Sequence, residues 1–244
     1  MDAQTILERL NACSIPVSIR EAEQIAVYHR LLLDWNTRMD LTAVTEDSEM
    51  LDRHYVDSLM ALTQPGLLPV SGRVIDVGTG AGFPGMPLAI CCPDLRFTLL
   101  DSQQKRLNFL SAVIAELGLQ NVTLVHARAE DGARNPELRA SFDAAVARAV
   151  APLPVLAEYL LPYVRVGGSA LCWKGPSVLE EMTAARRAAH LLGAYLEEPV
   201  SYDIPGRDWQ HLFVRLSKNA PTPKAYPRKA GTPSKNPLGE AAKS

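Results

Sequence analysis

The chain has 244 residues, 47% of them apolar and 21% charged, with a formal net charge of −2 at pH 7. That length suits one well-buried α/β domain with extensions, or two small domains, and the composition is that of a soluble globular protein rather than a disordered or polycationic one. No apolar run reaches the ~18 to 20 residues a membrane-spanning helix needs; the most apolar stretch, Ala149 to Val166, is broken by Pro152, Pro154, Pro162, Glu158 and Arg165.

The N-terminus, Met1 to Leu10, has no basic region followed by an apolar core, so no secretion signal is expected and a cytoplasmic location is. Residues 1–70 read as a helical extension. Ser18 and Glu21 fit a capping box, and Ile25, Tyr28, Leu32 and Trp35 follow at helical spacing up to Asp34-Trp35-Asn36. A second long helix is predicted from Glu46 to Thr63, with an acidic first turn, stopped by Pro65-Gly66.

Residues 71–218 alternate short apolar strands with helical stretches. The strands are placed at Arg73–Val77, Arg96–Leu100, Val122–Val125, Phe142–Ala147, Ser169–Trp173, Ala194–Val200 and His211–Leu216, with helices such as Gln103 to Leu117 and Ser177 to Leu192 between them. This pattern predicts a mostly parallel seven-stranded sheet with helices on both faces, a Rossmann-like fold. The last two strands leave no room for a helix and should form an antiparallel hairpin around Pro205-Gly206.

The third zone, 219–244, contains five prolines and almost no apolar residues, so it reads as extended. Lys224, Arg228, Lys229, Lys235 and Lys243 against Glu240 give it +4, leaving −6 on the remainder. An acidic body with a basic tail points to a polyanionic partner that meets the tail; the bland alternative is a solubilising tail. Cys13, Cys91, Cys92 and Cys172 form no CxxC pair and no cluster with histidine, which argues for buried thiols in a reducing compartment and against a metal site.

The strongest motif runs from Val74 to Gly85. An apolar strand enters a glycine loop and then a helix, the arrangement in which backbone approaches a ligand closely. Gly80, Gly82 and Gly85 match the dinucleotide fingerprint, and Asp101 falls where an acid for an NAD ribose is expected. The strand, however, ends at Val77, so the loop starts at Gly78 and reads Asp76-x-Gly78-x-Gly80-x-Gly82, which resembles motif I of class I methyltransferases. In either reading Asp101 can accept ribose hydroxyls, and it can equally cap the helix from Gln103. Ala127 to Glu130, just past the third strand, lies where loops face the ligand, with backbone at Ala129 and Glu130 available to an adenine edge.

Taken together, the residues resemble the bacterial 16S ribosomal RNA guanine-N(7) methyltransferases, the glucose-inhibited division protein B family, over nearly the whole chain. The matching stretches are Trp35-Asn36 with Leu41-Thr42, Arg53 to Leu59, Asp76 to Ala89, Leu100 to Ser102, Lys105-Arg106 and Phe109-Leu110. They continue through Arg128 to Glu130, Phe142-Asp143, Ala147 to Ala151, Lys174-Gly175, Tyr226 to Lys229 and Gly231. Thr79 stands where the family often has Ser, a change that keeps the hydroxyl. The resemblance implies S-adenosylmethionine as cofactor, 16S RNA or the 30S subunit as partner, and cofactor contacts at Gly78, Phe83, Ala129, Glu130 and Arg148.

Nitrogen 7 of guanine carries a free lone pair and no proton, so its methylation needs alignment rather than a general base; placement alone can supply ~7 to 11 kcal/mol. Arg148, at the end of the fourth strand, is the candidate catalytic residue, with a structural ion pair as the alternative. Lys174 ends the next strand and could meet RNA phosphate. Arg53 and His54 lean toward an RNA-facing role through the resemblance, against a bland capping or core histidine. Tyr226 to Lys229 places an aromatic beside Arg228 and Lys229, suited to stacking on a base and holding phosphate. Lys105 and Arg106 read as a solvated helix face. A monomer is expected. An NAD(P)-dependent oxidoreductase and a non-catalytic RNA-binding assembly factor are the competing classes.

Overall fold

The computed structural model describes residues 1–240. Helices α1 (Ala3–Ala12) and α2 (Ile19–Asn36) open the chain, and both halves of the Ser18/Glu21 capping box form at the start of α2. The predicted second helix runs where expected but with uneven pitch. Between α3 (Asp47–Met50) and α4 (Asp57–Leu59) the chain winds as a π-helix over Leu51–Val56, and Met60–Thr63 tightens into a 3-10 turn. Short π segments recur at functional sites, and this one carries Arg53 and His54.

The strands are β1 (Gly72–Val77), β2 (Leu95–Asp101), β3 (Val122–His126), β4 (Phe142–Arg148), β5 (Val164–Lys174), β6 (Ala194–Leu196), β7 (Val200–Tyr202) and β8 (His211–Lys218). Helices α5 (Gly85–Cys91), α6 (Gln104–Leu117), α7 (Ala129–Gly132), α8 (Leu153–Leu160) and α9 (Val178–Leu191) connect them. The sheet order is β3-β2-β1-β4-β5-β8-β6, with β7 also on β8. β1 to β5 are parallel, and β8 is antiparallel to β5, β6 and β7. The expected hairpin is therefore present between β7 and β8. The single strand expected at Ala194–Val200 is split, because its pairing slips: Leu196 faces Leu216 but Val200 faces Phe213, one residue out of step. Pro199, which lacks an N–H for the ladder, lies inside the bulge.

Alternating side chains send two cores to the two faces of the sheet. Val74, Phe97, Val146 and Trp173 pack with α1, α2 and the helical run after Asp47, while Ile75, Val77, Ala147 and Val214 pack with α8 and α9. The N-terminal helices thus share one continuous core with the first face.

The segment after Lys218 corrects the expectation of an extended arm. Residues 219–240 are docked against α7 and α8 on the second side of the sheet and contain a short helix, α10 (Thr232–Lys235). Two buried acids hold it. Arg228 forks onto Glu158 of α8, which is 0% exposed, with Nη2 to Oε2 at 2.6 Å, Nε to Oε1 at 3.0 Å and its backbone N–H to Oε1 at 2.7 Å. The Gly231 N–H donates to Oε1 of Glu130 at 2.8 Å. Arg134 and Arg139 donate to the carbonyls of Pro227 and Thr222. A count of apolar residues misses this mode of docking, in which the chain supplies donors that buried carboxylates require.

Candidate active site

The strand order reverses between β1 and β4, and ligands of open α/β sheets bind beyond the carboxyl ends of strands at such a point. The loop from Gly78 to Pro84 leaves β1 there. Gly78 has φ +77°, and a Cβ on it would stand 3.0 Å from the Val150 side chain, so the turn strongly favours glycine. The N–H groups of Gly78 and Thr79 donate to the Leu100 carbonyl at 2.8 and 3.1 Å. Asp76, wholly buried, braces the loop from below: Oδ2 accepts from Thr79 Oγ1 at 2.7 Å and from the Gly85 N–H at 2.9 Å, while Oδ1 has no partner among the described residues. Burial, opposed by those two hydrogen bonds, pushes its carboxyl up to about 6.

Asp101 accepts from the N–H groups of Gly80 (2.9 Å) and Gln103 (2.8 Å), so it serves loop and helix start together; Arg106 reaches it at 3.4 Å. A cavity of about 330 Å³ opens above these groups, walled by Gly78, Asp101, Ala129, Glu130 and Val150 and, from the tail, by Gly231 and Ser234. Ala129 and Glu130, whose N–H groups open α7 and have no intrahelical acceptor, lie in this wall.

A second cavity of about 420 Å³ adjoins the first, and Ala149 lines both. Ala149 has φ +55°, a left-handed conformation uncommon for a residue with a Cβ and often met at functional sites. Arg53, His54, Arg148, Lys174, Gln210 and His211 stand around this cavity. Its organiser is Asp57, 5% exposed. Oδ2 accepts from Arg148 Nη1 at 2.7 Å; Oδ1 accepts from Tyr202 Oη at 2.6 Å and lies 3.0 Å from His211 Nδ1. Burial alone would raise this carboxyl, but the hydrogen bond of His211, the Arg148 charge and the Tyr202 hydroxyl hold it below its ordinary value.

The expected residues divide as follows. Gly78, Gly80, Asp76, Asp101, Ala129 and Glu130 gather at or beneath the first cavity. Gly82 and Phe83 turn away from it: a Cβ on Gly82 would meet Tyr28 Oη at 2.6 Å, and Phe83 stacks on Tyr28 and His54 with centroids 5.4 and 4.7 Å apart. Their loop is thereby anchored to the N-terminal helices. Arg148 does form the ion pair weighed as its alternative, and Nη1 also donates to the Arg53 carbonyl at 2.6 Å; its guanidinium still borders the second cavity. Lys174 is held by Glu181 at 3.1 Å. Arg53 lies over Trp209, 4.2 Å from the ring centroid, and pairs with Glu49. His54 is uncharged at neutral pH, since burial and then the Arg148 charge push its imidazole down to about 4. Arg228 is spent on Glu158 and does not face outward as an RNA contact; Lys224, Lys229 and Lys235 are exposed, and Lys243 lies outside the described residues. Sequence reading missed Tyr202, Trp209 and His211, which reach the site only through the β7–β8 hairpin.

The strand order, with an antiparallel strand inserted near one edge, departs from the all-parallel dinucleotide-binding order and removes the case for an NAD enzyme built on the glycine fingerprint. Solved structures with this fold include the M. jannaschii TYW2 protein in complex with AdoMet (TM-score 0.53, 14% identity, 72% of this chain and 78% of that one). Another is the 16S rRNA (adenine(1408)-N(1))-methyltransferase of Catenulisporales acidiphilia (TM-score 0.52, 18% identity, 62% and 89%). The protein has the Rossmann-like fold of the class I methyltransferases.

Within that class the chain belongs to the rRNA small subunit methyltransferase G family, whose model matches residues 21–206. The ribosomal RNA small subunit methyltransferase G of Alkaliphilus oremlandii is 44% identical over 98% of this chain and 100% of its own length. That of Lactococcus lactis is 42% identical over 98% and 100%. Among the described residues no helix is long and apolar enough to cross a membrane, and no cluster of candidate metal ligands is present.

Two outcomes follow from this geometry. Because Gly231 and Ser234 wall the first cavity, ending the chain after Lys218 should weaken S-adenosylhomocysteine binding at least threefold by calorimetry; unchanged affinity in a folded truncated protein would contradict the tail's place in the wall. The second concerns pH. The folded state holds the His54 proton only below about 4, the unfolded state already below its ordinary 6.5. Stability contributed by neutral His54 is therefore present above pH 6.5 and lost as pH falls toward 4, by about 3 kcal/mol at the limit. Urea titrations of wild type and His54→Phe should converge or cross in that direction as pH drops from 7 to 4.5; parallel curves would show that His54 titrates normally.

Proposed function

We propose that the protein transfers a methyl group from S-adenosylmethionine to nitrogen 7 of a guanine in 16S ribosomal RNA, acting as a cytoplasmic monomer on free RNA or the 30S subunit. The observation that carries this reading is the pair of cavities meeting at Ala149, one against the glycine loop and Asp101, the other ringed by cationic, aromatic and amide side chains.

The first cavity suits the cofactor. Asp101 offers a carboxylate to a ribose, the start of α7 offers free N–H groups to an adenine, and the unpartnered Oδ1 of Asp76 leaves negative charge beneath the loop for a ligand bearing two cationic groups. When bound, S-adenosylmethionine supplies an electrophilic methyl carbon, whose bond to sulfur breaks as the bond to nitrogen 7 forms.

The protein's own part is to align and to exclude. Arg148 borders the second cavity where it meets the first, and its charge is neutralised by Asp57, so the site does not repel a cationic cofactor or the positively charged methylated base. Neutral His54, stacked on Phe83, closes one wall without adding charge. No side chain is required to take a proton, since none leaves the attacking nitrogen. Arg53 and Trp209 at the rim supply the contacts for an RNA loop that delivers a single base.

The reaction leaves a positively charged guanine, which is labile to borohydride and aniline. RNA from particles treated with the protein and S-adenosylmethionine should break at one site in 16S RNA after that treatment. Methyl incorporation without the break would place the methyl group on another atom.

A further inference from the structure

The second cavity contains a side chain that methyl transfer itself does not need. His211 opens β8 and is 22% exposed, standing in the cavity wall beside Gln210. Its Nδ1 lies 3.0 Å from Oδ1 of Asp57. A carboxylate can only accept, so a ring that donates to it from Nδ1 alone presents a lone pair at Nε2. Nε2 has no partner among the described residues and is not sealed away, so that lone pair is offered to the cavity. The ring is confined: Tyr202 lies 5.2 Å from it and Trp209 6.1 Å between centroids, and Tyr202 Oη bonds the same carboxylate oxygen at 2.6 Å. In that tautomer the ring holds a hydrogen-bond acceptor toward the cavity.

The position of that acceptor tells what it would meet. Asp57 separates two groups, Arg148 on Oδ2 and His211 on Oδ1, and Ala149, next to Arg148, marks the junction with the cofactor cavity. A purine with nitrogen 7 toward that junction turns the far edge of its six-membered ring to the opposite side. On guanine this edge carries two kinds of donor, N1–H and the 2-amino group. On adenine the same edge has an acceptor at N1 and no amino group at C2. A neutral histidine acceptor matches the first and opposes the second.

We propose that His211 Nε2 accepts a hydrogen bond from the N1–H or 2-amino group of the target guanine and so selects guanine over adenine, with Asp57 as the positioning residue that fixes its tautomer. This rests on the methyl-transfer reading above. A site built around a hydrogen bond discriminates strongly against analogues that lack it, because its own polar atom is then left unpaired.

The test uses the full-length protein and 16S RNA ligated from two pieces, assembled into 30S particles where required. The methylated guanine, mapped first with wild type, is replaced by inosine, which lacks the 2-amino group, or by 2-aminopurine, which lacks N1–H. Wild type should prefer guanine to at least one analogue by tenfold or more in kcat/KM. His211→Ala should fall at least tenfold on guanine and lose that preference, with S-adenosylhomocysteine affinity unchanged. His211→Gln, which carries a carbonyl acceptor, should recover part of both. A His211→Ala protein that keeps the full wild-type preference, slower or not, would reduce His211 to a structural role and overturn the assignment. A wild type that shows no preference overturns it without any variant. Failure of wild type to methylate guanine-containing RNA in either form would instead overturn the reading on which the proposal rests.

Discussion

A carboxylate taken out of water is costly unless charge and hydrogen bonds replace the solvent. Asp57 is such a group, and the arrangement around it decides the shape of the second cavity. It sits just past the π-helical segment and draws Arg148 from β4, Tyr202 from β7 and His211 from β8 onto two oxygens. The Trp173 indole N–H also donates to its backbone carbonyl at 2.8 Å. Four strands and the N-terminal helices therefore converge on one residue. This explains why a helical extension, which a minimal Rossmann-like core lacks, is built into the site instead of hanging beside it.

The first cavity rests on a different set of acids. Asp76 braces the glycine loop from below and Asp101 ties the loop to the start of α6, while Glu130 and Glu158 fasten the C-terminal segment over the opening. The negative charge of the body, which at first sight disfavours an RNA partner, is thus largely structural where it is buried. Arginines answer it at Glu158 and Asp57, and backbone N–H groups do so at Asp76, Asp101 and Glu130. Near the second cavity Arg53, paired with Glu49, and Arg207, held by Asp52 at 2.7 Å, both lie against the Trp209 ring and form a local rim suited to a base.

Much of this was legible in the sequence, for identifiable reasons. The capping box of α2, the strand positions and the loop after Val77 are written in local periodicity and in glycine, and the structure reproduces them within a residue or two at most ends. The antiparallel hairpin followed from a spacing too short for a helix. Long-range polar pairing was not legible. Arg228 and Glu158 are 70 residues apart, and Asp57 and Tyr202 are 145 apart; no periodicity announces such partners. Proline content made the tail look extended, yet prolines also leave few unpaired N–H groups, which suits a strap lying against a buried surface. Phe83 looked like part of a ligand loop because of its neighbours, whereas its ring belongs to the aromatic cluster with Tyr28 and Tyr55.

The central claim is that the two cavities are organised by separate acids, with Asp57 serving the base-accepting side alone. Asp57→Asn keeps the shape of the side chain and removes the charge that holds Arg148 and orients His211. The most direct measurement is S-adenosylhomocysteine affinity and methyl-transfer rate in the same folded preparation of that variant. The account predicts an affinity within threefold of wild type and transfer to 16S RNA reduced at least a hundredfold. Transfer close to wild type, or a loss of cofactor affinity that matches the loss of transfer, would contradict it.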